Sequence, residues 1–334
     1  MKKLDSNFQP PLDEIRAKVS QMVSSLELGD FDRNFWRNAV ERDFKVMRLK
    51  DVKLGETGFL GSDSSIAAKN VRYNALWGMH AVLLYGLFNG LENKDQLVGH
   101  GSVNYSSLMY DSHVDLGSFN PYWMIEHQMN CIRIEREYSS IVDGRQSLVD
   151  SGFRVDFPLV DGSLKTNSDN LSMRASLPAA EAALKAQERL LGLGRVVSMV
   201  EDSHASDISR RFGLNMSNLM FFNLVLRDGE YVVEEGRFNV CYLKLPGKRL
   251  DYLDGLSMPL TVRWEFSYPG FHDDLSLLAS MWLKEDDVLH PQLYPLRIAD
   301  YLTRRVNTAG VIDEIVGELK PELEFRDLRE AYFE

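Results

Sequence analysis

The chain reads as a mixed α/β domain, a sheet flanked by helices with further helices at both ends. Short apolar runs alternate with stretches of helical periodicity through its middle, the pattern of α/β folds. Strand-like runs at 219–226, 237–245 and 260–267 then cluster. The 334 residues suit one large domain with elaborations, and an apolar content of 44% is ordinary for a globular protein. The expected division is an N-terminal helical segment over 1–50 and the α/β domain with its C-terminal helices over 51–334.

The elements follow in order. Leu12, Ile15, Val19, Met22, Val23 and Leu26 recur at helical spacing, which predicts a helix over 11–27. Its narrow apolar stripe serves either the core or an oligomer or partner surface. Gly58-Phe59-Leu60-Gly61 is strand-like and runs into Ser62-Asp63-Ser64-Ser65. Residues 73–88 are mostly apolar and read as one or two buried strands, although pattern alone does not separate them from a helix. Residues 90–121 are polar and loop-like. Residues 122–149 read as a helix with Ile134, Tyr138, Ile141, Leu148 and Val149 on one face. Phe157-Pro158-Leu159-Val160 is a short strand ending at Asp161-Gly162-Ser163. Pro178 opens and Gly192 stops a helix over 178–191. Residues 195–200 are β-type, 206–213 form a short helix, and 292–333 are helical with breaks near Asn307 and Pro321.

Composition narrows the function. The net charge is −11, whereas a protein gripping nucleic acid over a broad face is usually basic. Either nucleic acid is not the substrate, or it is held in a local channel and delivered by another protein. No apolar run reaches the roughly 18–20 residues of a membrane span. The opening Met1-Lys2-Lys3-Leu4-Asp5 turns polar at once, unlike a signal peptide. Cys131 and Cys241 stand far apart without a partner pattern, which fits a reducing cytoplasm. No phosphate-binding Gly-x-x-x-x-Gly-Lys-Ser/Thr loop and no Gly-x-Ser-x-Gly elbow is present. Gly192-Leu193-Gly194 lacks the third glycine of a dinucleotide fingerprint, and the seven histidines are scattered.

Two carboxylates stand out. Asp63 and Asp161 each follow a short apolar stretch and precede a Ser-containing turn. Strand ends open onto the crevice where α/β sheets bind ligands, and carboxylates there hold hard cations such as Mg²⁺ or Mn²⁺. A pair on neighbouring strands suits phosphodiester cleavage. Each alone is equally a turn residue or a helix cap.

The sequence resembles the NurA family of DNA-end-processing nucleases. The blocks that carry the resemblance are Asp63-Ser64-Ser65, Arg133-Ile134-Glu135-Arg136-Glu137, Leu159-Val160-Asp161-Gly162-Ser163-Leu164, and Val197-Ser198-Met199-Val200-Glu201-Asp202-Ser203. After them come Tyr242-Leu243-Lys244-Leu245 with Val262-Arg263-Trp264-Glu265-Phe266, then Tyr294-Pro295-Leu296-Arg297-Ile298-Ala299-Asp300. Each is short; their order and spacing over about residues 55–305 make the match specific. It implies a ribonuclease H-like core, Mn²⁺- or Mg²⁺-dependent DNA cleavage, a homodimer, and a partner in the ring-shaped hexameric ATPase HerA, in DNA end processing or phage defence. This sequence departs from the family at Ser64, where Gly is usual, at Glu201, where many relatives have Lys, and at Asp300, where archaeal relatives tend to have His.

The resemblance implies a site of Asp63, Glu137, Asp161 and Asp300 around the ions, with Tyr294 and Lys165 positioning the scissile phosphate. Glu135 and Glu137 lie roughly 200° apart on a helix, so they cannot both face the site equally. The resemblance favours Glu137, since Glu137-Tyr138-Ser139-Ser140-Ile141 gives the small residues the family places after its Glu. Tyr294 is equally a core aromatic, and Lys165 equally a solvated turn residue. Two rival readings stand beside this one: a non-catalytic regulatory subunit of a HerA-type ATPase, and a stand-alone four-carboxylate exonuclease.

Overall fold

The computed structural model describes residues 32–71, 74–88, 100–102, 112–113, 121–175, 178–200, 204–252, 256–283, 292–305 and 308–323. The expected helix over 11–27, most of 90–121 and the Glu201-Asp202-Ser203 block lie outside the described residues.

Helix α1 (Arg33–Asp43) starts at Asp32, whose side chain accepts from the Asn34 and Phe35 amides, as an N-cap should. Strands β1 (Met47–Arg48), β2 (Thr57–Val71), β3 (Asn74–Phe88), β4 (His100–Ser102) and β5 (Ser112–His113) precede the long helix α2 (Pro121–Asp150). Then come β6 (Phe157–Asp161), α3 (Leu164–Met173), α4 (Pro178–Leu191), β7 (Val197–Val200), α5 (Asp207–Arg211) and α6 (Asn218–Val225). The chain continues with β8 (Glu230–Glu234), β9 (Asn239–Tyr252), β10 (Leu256–Phe266), α7 (His272–Trp282), α8 (Tyr294–Arg305) and α9 (Thr308–Leu323).

The described strands form one sheet in the order β1-β8-β9-β10-β7-β6-β2-β3-β4, with β5 also paired to β3. Only the central joins β2–β6 and β6–β7 are parallel. Such strands are covered on both faces, and here the two faces separate cleanly. Phe59, Phe157 and Leu159 pack with Leu275, Leu278 and Trp282 of α7 and Leu296 of α8. Their sequence neighbours Leu60 and Val160 point the other way, as strand alternation requires. They pack with Ile134, Tyr138 and Ile141 of α2 and with Ala180, Ala183 and Leu190 of α4. A third cluster joins Val40 of α1, Phe221 and Phe222 of α6, and Tyr242 of β9.

Two close approaches set the helices that matter below. A Cβ on Gly61 would stand 2.9 Å from Leu296 Cδ2, and one on Gly144 would stand 2.2 Å from Leu83 Cδ2. Glycine at these points lets α8 settle on one face of β2, and α2 on the other face over β3.

The run 219–226, expected as a strand, is helical. Leu219-Met220-Phe221-Phe222 is apolar all round, so periodicity has nothing to read. The helix is set instead by the Ser217 cap, whose side chain accepts from the Met220 amide. Cys131 and Cys241 are free and buried. No helix among the described residues is long and apolar enough to cross a membrane.

Candidate active site

The last β2–β6 register pair is Ser62↔Val160, so Asp63 and Asp161 are next where the two parallel strands part. This is the sheet position at which open α/β folds bind ligands. Asp63 is not at a strand end, as its Ser-rich flank suggested. Ser64 and Ser65 continue the antiparallel pairing with β3 opposite Ala81 and His80; it is the pairing with β6 that stops. The turn after Asp161 is real. Gly162 takes φ +75°, a conformation open chiefly to glycine. The helix cap, however, is Ser163, which accepts from the Thr166 amide at 3.0 Å. The Asp161 carboxylate is thereby left for Gln292, whose Nε2 donates to it at 2.6 Å.

Asp63 is 7% exposed. Its carboxyl is pushed up to about 6, first by burial and then by the charge of Glu137, with a smaller contribution from Asp300. The hydroxyl of Thr303 donates to its Oδ2 and opposes this rise. On the α2 side, Glu137 is 3% exposed. It accepts from the Ser64 hydroxyl and from Arg133 at 2.6 Å. That guanidinium is in turn held above its usual value, chiefly by Glu137. Glu135 meets its own helix, accepting from Ser139 at 3.1 Å and pairing with Arg136 at 3.4 Å. Of the two helix glutamates, Glu137 is the one in contact with β2.

Asp300 pairs with Arg304 at 2.7 Å, and its carbonyl accepts from Thr303 at 2.8 Å. The other two expected residues stand apart from these carboxylates. Tyr294 lines an apolar cleft with Phe59, Phe88, Met281 and Pro295; Phe59 precedes Asp63 by four residues, about 13 Å along a strand. Lys165 Nζ pairs with Glu234 at 2.8 Å, and its amide donates to Glu265 at 2.9 Å. Glu265, fully buried, also accepts from Ser163 at 2.7 Å and pairs with Arg263, so it anchors the turn that follows Asp161.

The sequence reading missed Ser64 as a hydrogen-bond donor, together with Arg133, Gln292 and Thr303. Only Arg133 carried a local signal, being four residues before Glu137 on the same helix face. The others meet their partners across the fold.

These residues fit a divalent cation in donor chemistry. All are oxygen ligands, and burial and the charge of Glu137 raise the Asp63 carboxyl despite hydrogen bonds from Thr303 and the Ser64 backbone. The Ser62 hydroxyl, which strand alternation puts on the α2 face with Ser64, is buried without a hydrogen-bond partner. No three Asp, Glu, His or Cys side chains among the described residues already converge as a ligand group. Glu137, Asp161 and Asp300 are each turned toward a neighbouring side chain, and those contacts would be exchanged on binding.

Comparison with solved structures decides the architecture. The NurA nuclease from Sulfolobus solfataricus superposes with a TM-score of 0.57 over 95% of this chain and 98% of that one, at 13% identity. A NurA bound to dAMP and manganese superposes with a TM-score of 0.54 over 97% and 100%, at 9% identity. This chain has the NurA fold. The resemblance drawn from short sequence blocks is borne out at the level of the fold, and with it the ribonuclease H-like mixed sheet flanked by helices. No protein-family model matches the sequence, and no curated protein matches it. At such identity the NurA likeness is one of backbone, so the chemistry rests on this chain's own residues.

Proposed function

We propose that this protein is a metal-dependent DNA nuclease of the NurA type. The observation that carries the reading is the position of the buried Asp63 carboxyl at the point where β2 and β6 part, its proton held more tightly first by burial and then by the charge of Glu137. A NurA with dAMP and manganese bound adopts the same fold, which supports a nucleotide substrate and a Mn²⁺ or Mg²⁺ cofactor. Asp63, Glu137, Asp161 and Asp300 are the residues that would hold the cations. Two bound ions would supply an activated water and stabilise the leaving 3′-oxygen.

The chain's own groups do the rest. Thr303 fixes the Asp63 carboxylate, and Ser64 fixes Glu137. The Glu265 anchor keeps the Asp161 turn in place. Arg133 and Arg304 neutralise Glu137 and Asp300 while no cation is bound, and both are then available to a phosphate. A net charge of −11 disfavours gripping free duplex, because few phosphate contacts release counterions. The resemblance to NurA adds a homodimer fed by a HerA-type hexameric ATPase, in DNA end processing or phage defence.

The test is co-purification with such an ATPase, followed by degradation of linear duplex in Mn²⁺. The expected result is a stable complex whose activity rises steeply with ATP. Full-rate digestion of duplex ends by the isolated protein, with no complex formed, overturns the motor-coupled reading. No cleavage under any of these conditions overturns the nuclease reading itself.

A further inference from the structure

We propose that the outer face of α8 is a single-strand DNA platform on which Tyr301 stacks an unpaired base beside the carboxylate centre, an inference that rests on the nuclease reading above.

The chain is acidic overall, yet α8 (YPLRIADYLTRR) carries Arg297, Arg304 and Arg305 against the single acid Asp300. At about 100° per residue, Arg304, Arg297, Tyr301, Tyr294 and Arg305 fall within an arc of roughly 100°. Asp300 borders that arc on one side. Beyond it come Leu296, Ala299 and Thr303, which are buried. One edge of the stripe thus adjoins Thr303, which donates to Asp63; Tyr301, Arg304 and Arg305 are exposed, while Tyr294 and Arg297 are half-buried toward the start of the helix.

Tyr301 is 49% exposed, and the Arg305 guanidinium lies 4.6 Å from its ring centroid. A tyrosine backed by arginine and half in solvent presents a π-face with a neighbouring cation, the pairing that binds single strands without sequence preference. Arg304, paired with Asp300 at 2.7 Å and with its side chain 66% exposed, follows three residues later and is placed to turn from that carboxylate to a backbone phosphate. The pattern selects a single strand. In a duplex the base faces are already stacked, whereas a frayed or unwound end offers free ones. A two-fold contact with a second copy through Tyr301 would bring Arg304 and Arg305 near their own counterparts, so charge favours an anionic polymer over self-association.

The test measures anisotropy of a short fluorescein-labelled oligothymidylate with the full chain, with Ca²⁺ replacing Mn²⁺ to suppress cleavage. Tyr301→Ala is expected to weaken binding by roughly 5- to 100-fold, the range for loss of one stacked base. Tyr301→Phe should bind as wild type does, and Arg305→Ala should fall between. An abasic oligomer should bind wild type as weakly as oligothymidylate binds Tyr301→Ala. Wild-type affinity in Tyr301→Ala overturns the platform while leaving the nuclease reading intact if the wild-type protein cleaves DNA. A smaller particle mass for Tyr301→Ala with unchanged binding per chain assigns the ring to a protein interface and also overturns it. A wild-type protein that neither binds nor cleaves DNA overturns both.

Discussion

Thr303 of α8 donates its hydroxyl to Asp63 of β2 across 240 positions of sequence. The contact ties the last turns of α8 to the strand that carries the central carboxylate. It exists because Gly61, two residues before Asp63, lets α8 settle on the strand. If this hydrogen bond orients the carboxylate, Thr303→Val should lower Mn²⁺-dependent cleavage by roughly 10- to 100-fold, the usual cost of removing an outer partner of a ligand. Thr303→Ser keeps the hydroxyl and should keep most of the activity. Equal loss in the two variants would make the role one of packing.

The glutamates of α2 should separate sharply. Glu137 is buried against Ser64 and Arg133, whereas Glu135 meets Ser139 and Arg136. Turnover at saturating Mn²⁺ is expected to collapse in Glu137→Gln and to stay near wild type in Glu135→Gln. The reverse ranking would move the ligand two positions along the helix.

The metal-free protein should gain stability when Asp63 is neutralised. With the Asp63 carboxyl lifted to about 6 from an ordinary 3.8, its ionised form costs the fold on the order of 3 kcal/mol. The folded state holds this proton more tightly, so the group's contribution is most favourable below about pH 4 and is lost as pH rises through 6. Asp63→Asn should therefore raise the melting temperature in EDTA at pH 7.5. The gain should shrink toward zero near pH 4. A lower melting temperature at pH 7.5 would mean that the charge is compensated.

A helix-seating test concerns Gly144. Alanine there would drive its Cβ into Leu83, and overpacking of this kind costs about 1–3 kcal/mol, against a gain in helix propensity of about 1 kcal/mol. Urea unfolding should show Gly144→Ala less stable than wild type. Adding Leu83→Ala should give a double variant more stable than the two single losses sum to, as coupled neighbours behave. Strict additivity would show that α2 already has room.

How much of this was legible in the sequence depends on the range of the interactions involved. Helix α4 was readable because Pro178 and Gly192 bracket an unambiguous composition. Strand β6 was readable because Phe157–Val160 is short, apolar and followed by Asp-Gly. The α6 run was not, since an unbroken apolar run such as Leu219–Phe222 shows no period. Asp63 and Asp161 were visible as a repeated pattern, but the pattern misplaced Asp63 at a strand end; its openness comes from β6 stopping, a property of a different segment. Local spacing left Glu135 and Glu137 both beside the apolar stripe, and contact with Ser64 distinguishes them. Thr303 and Gln292 had no local signature, because their partners lie on strands remote in sequence. Nothing local separated a phosphate contact from a core aromatic at Tyr294 or from a solvated turn at Lys165, and here they stand beside an apolar cleft and Glu234 respectively.

The most direct measurement is the initial rate of cleavage of a labelled linear DNA in Mn²⁺ by wild type, Asp63→Asn and Asp161→Asn, each first shown to be folded. Wild type is expected to cleave in a manner that EDTA abolishes and Mn²⁺ restores. Both variants are expected to lose at least about a hundredfold, as when a charged ligand is removed from a metal-dependent centre. Wild-type rates in either folded variant would contradict the assignment of that carboxylate, and wild-type rates in both would place the active site elsewhere in the molecule.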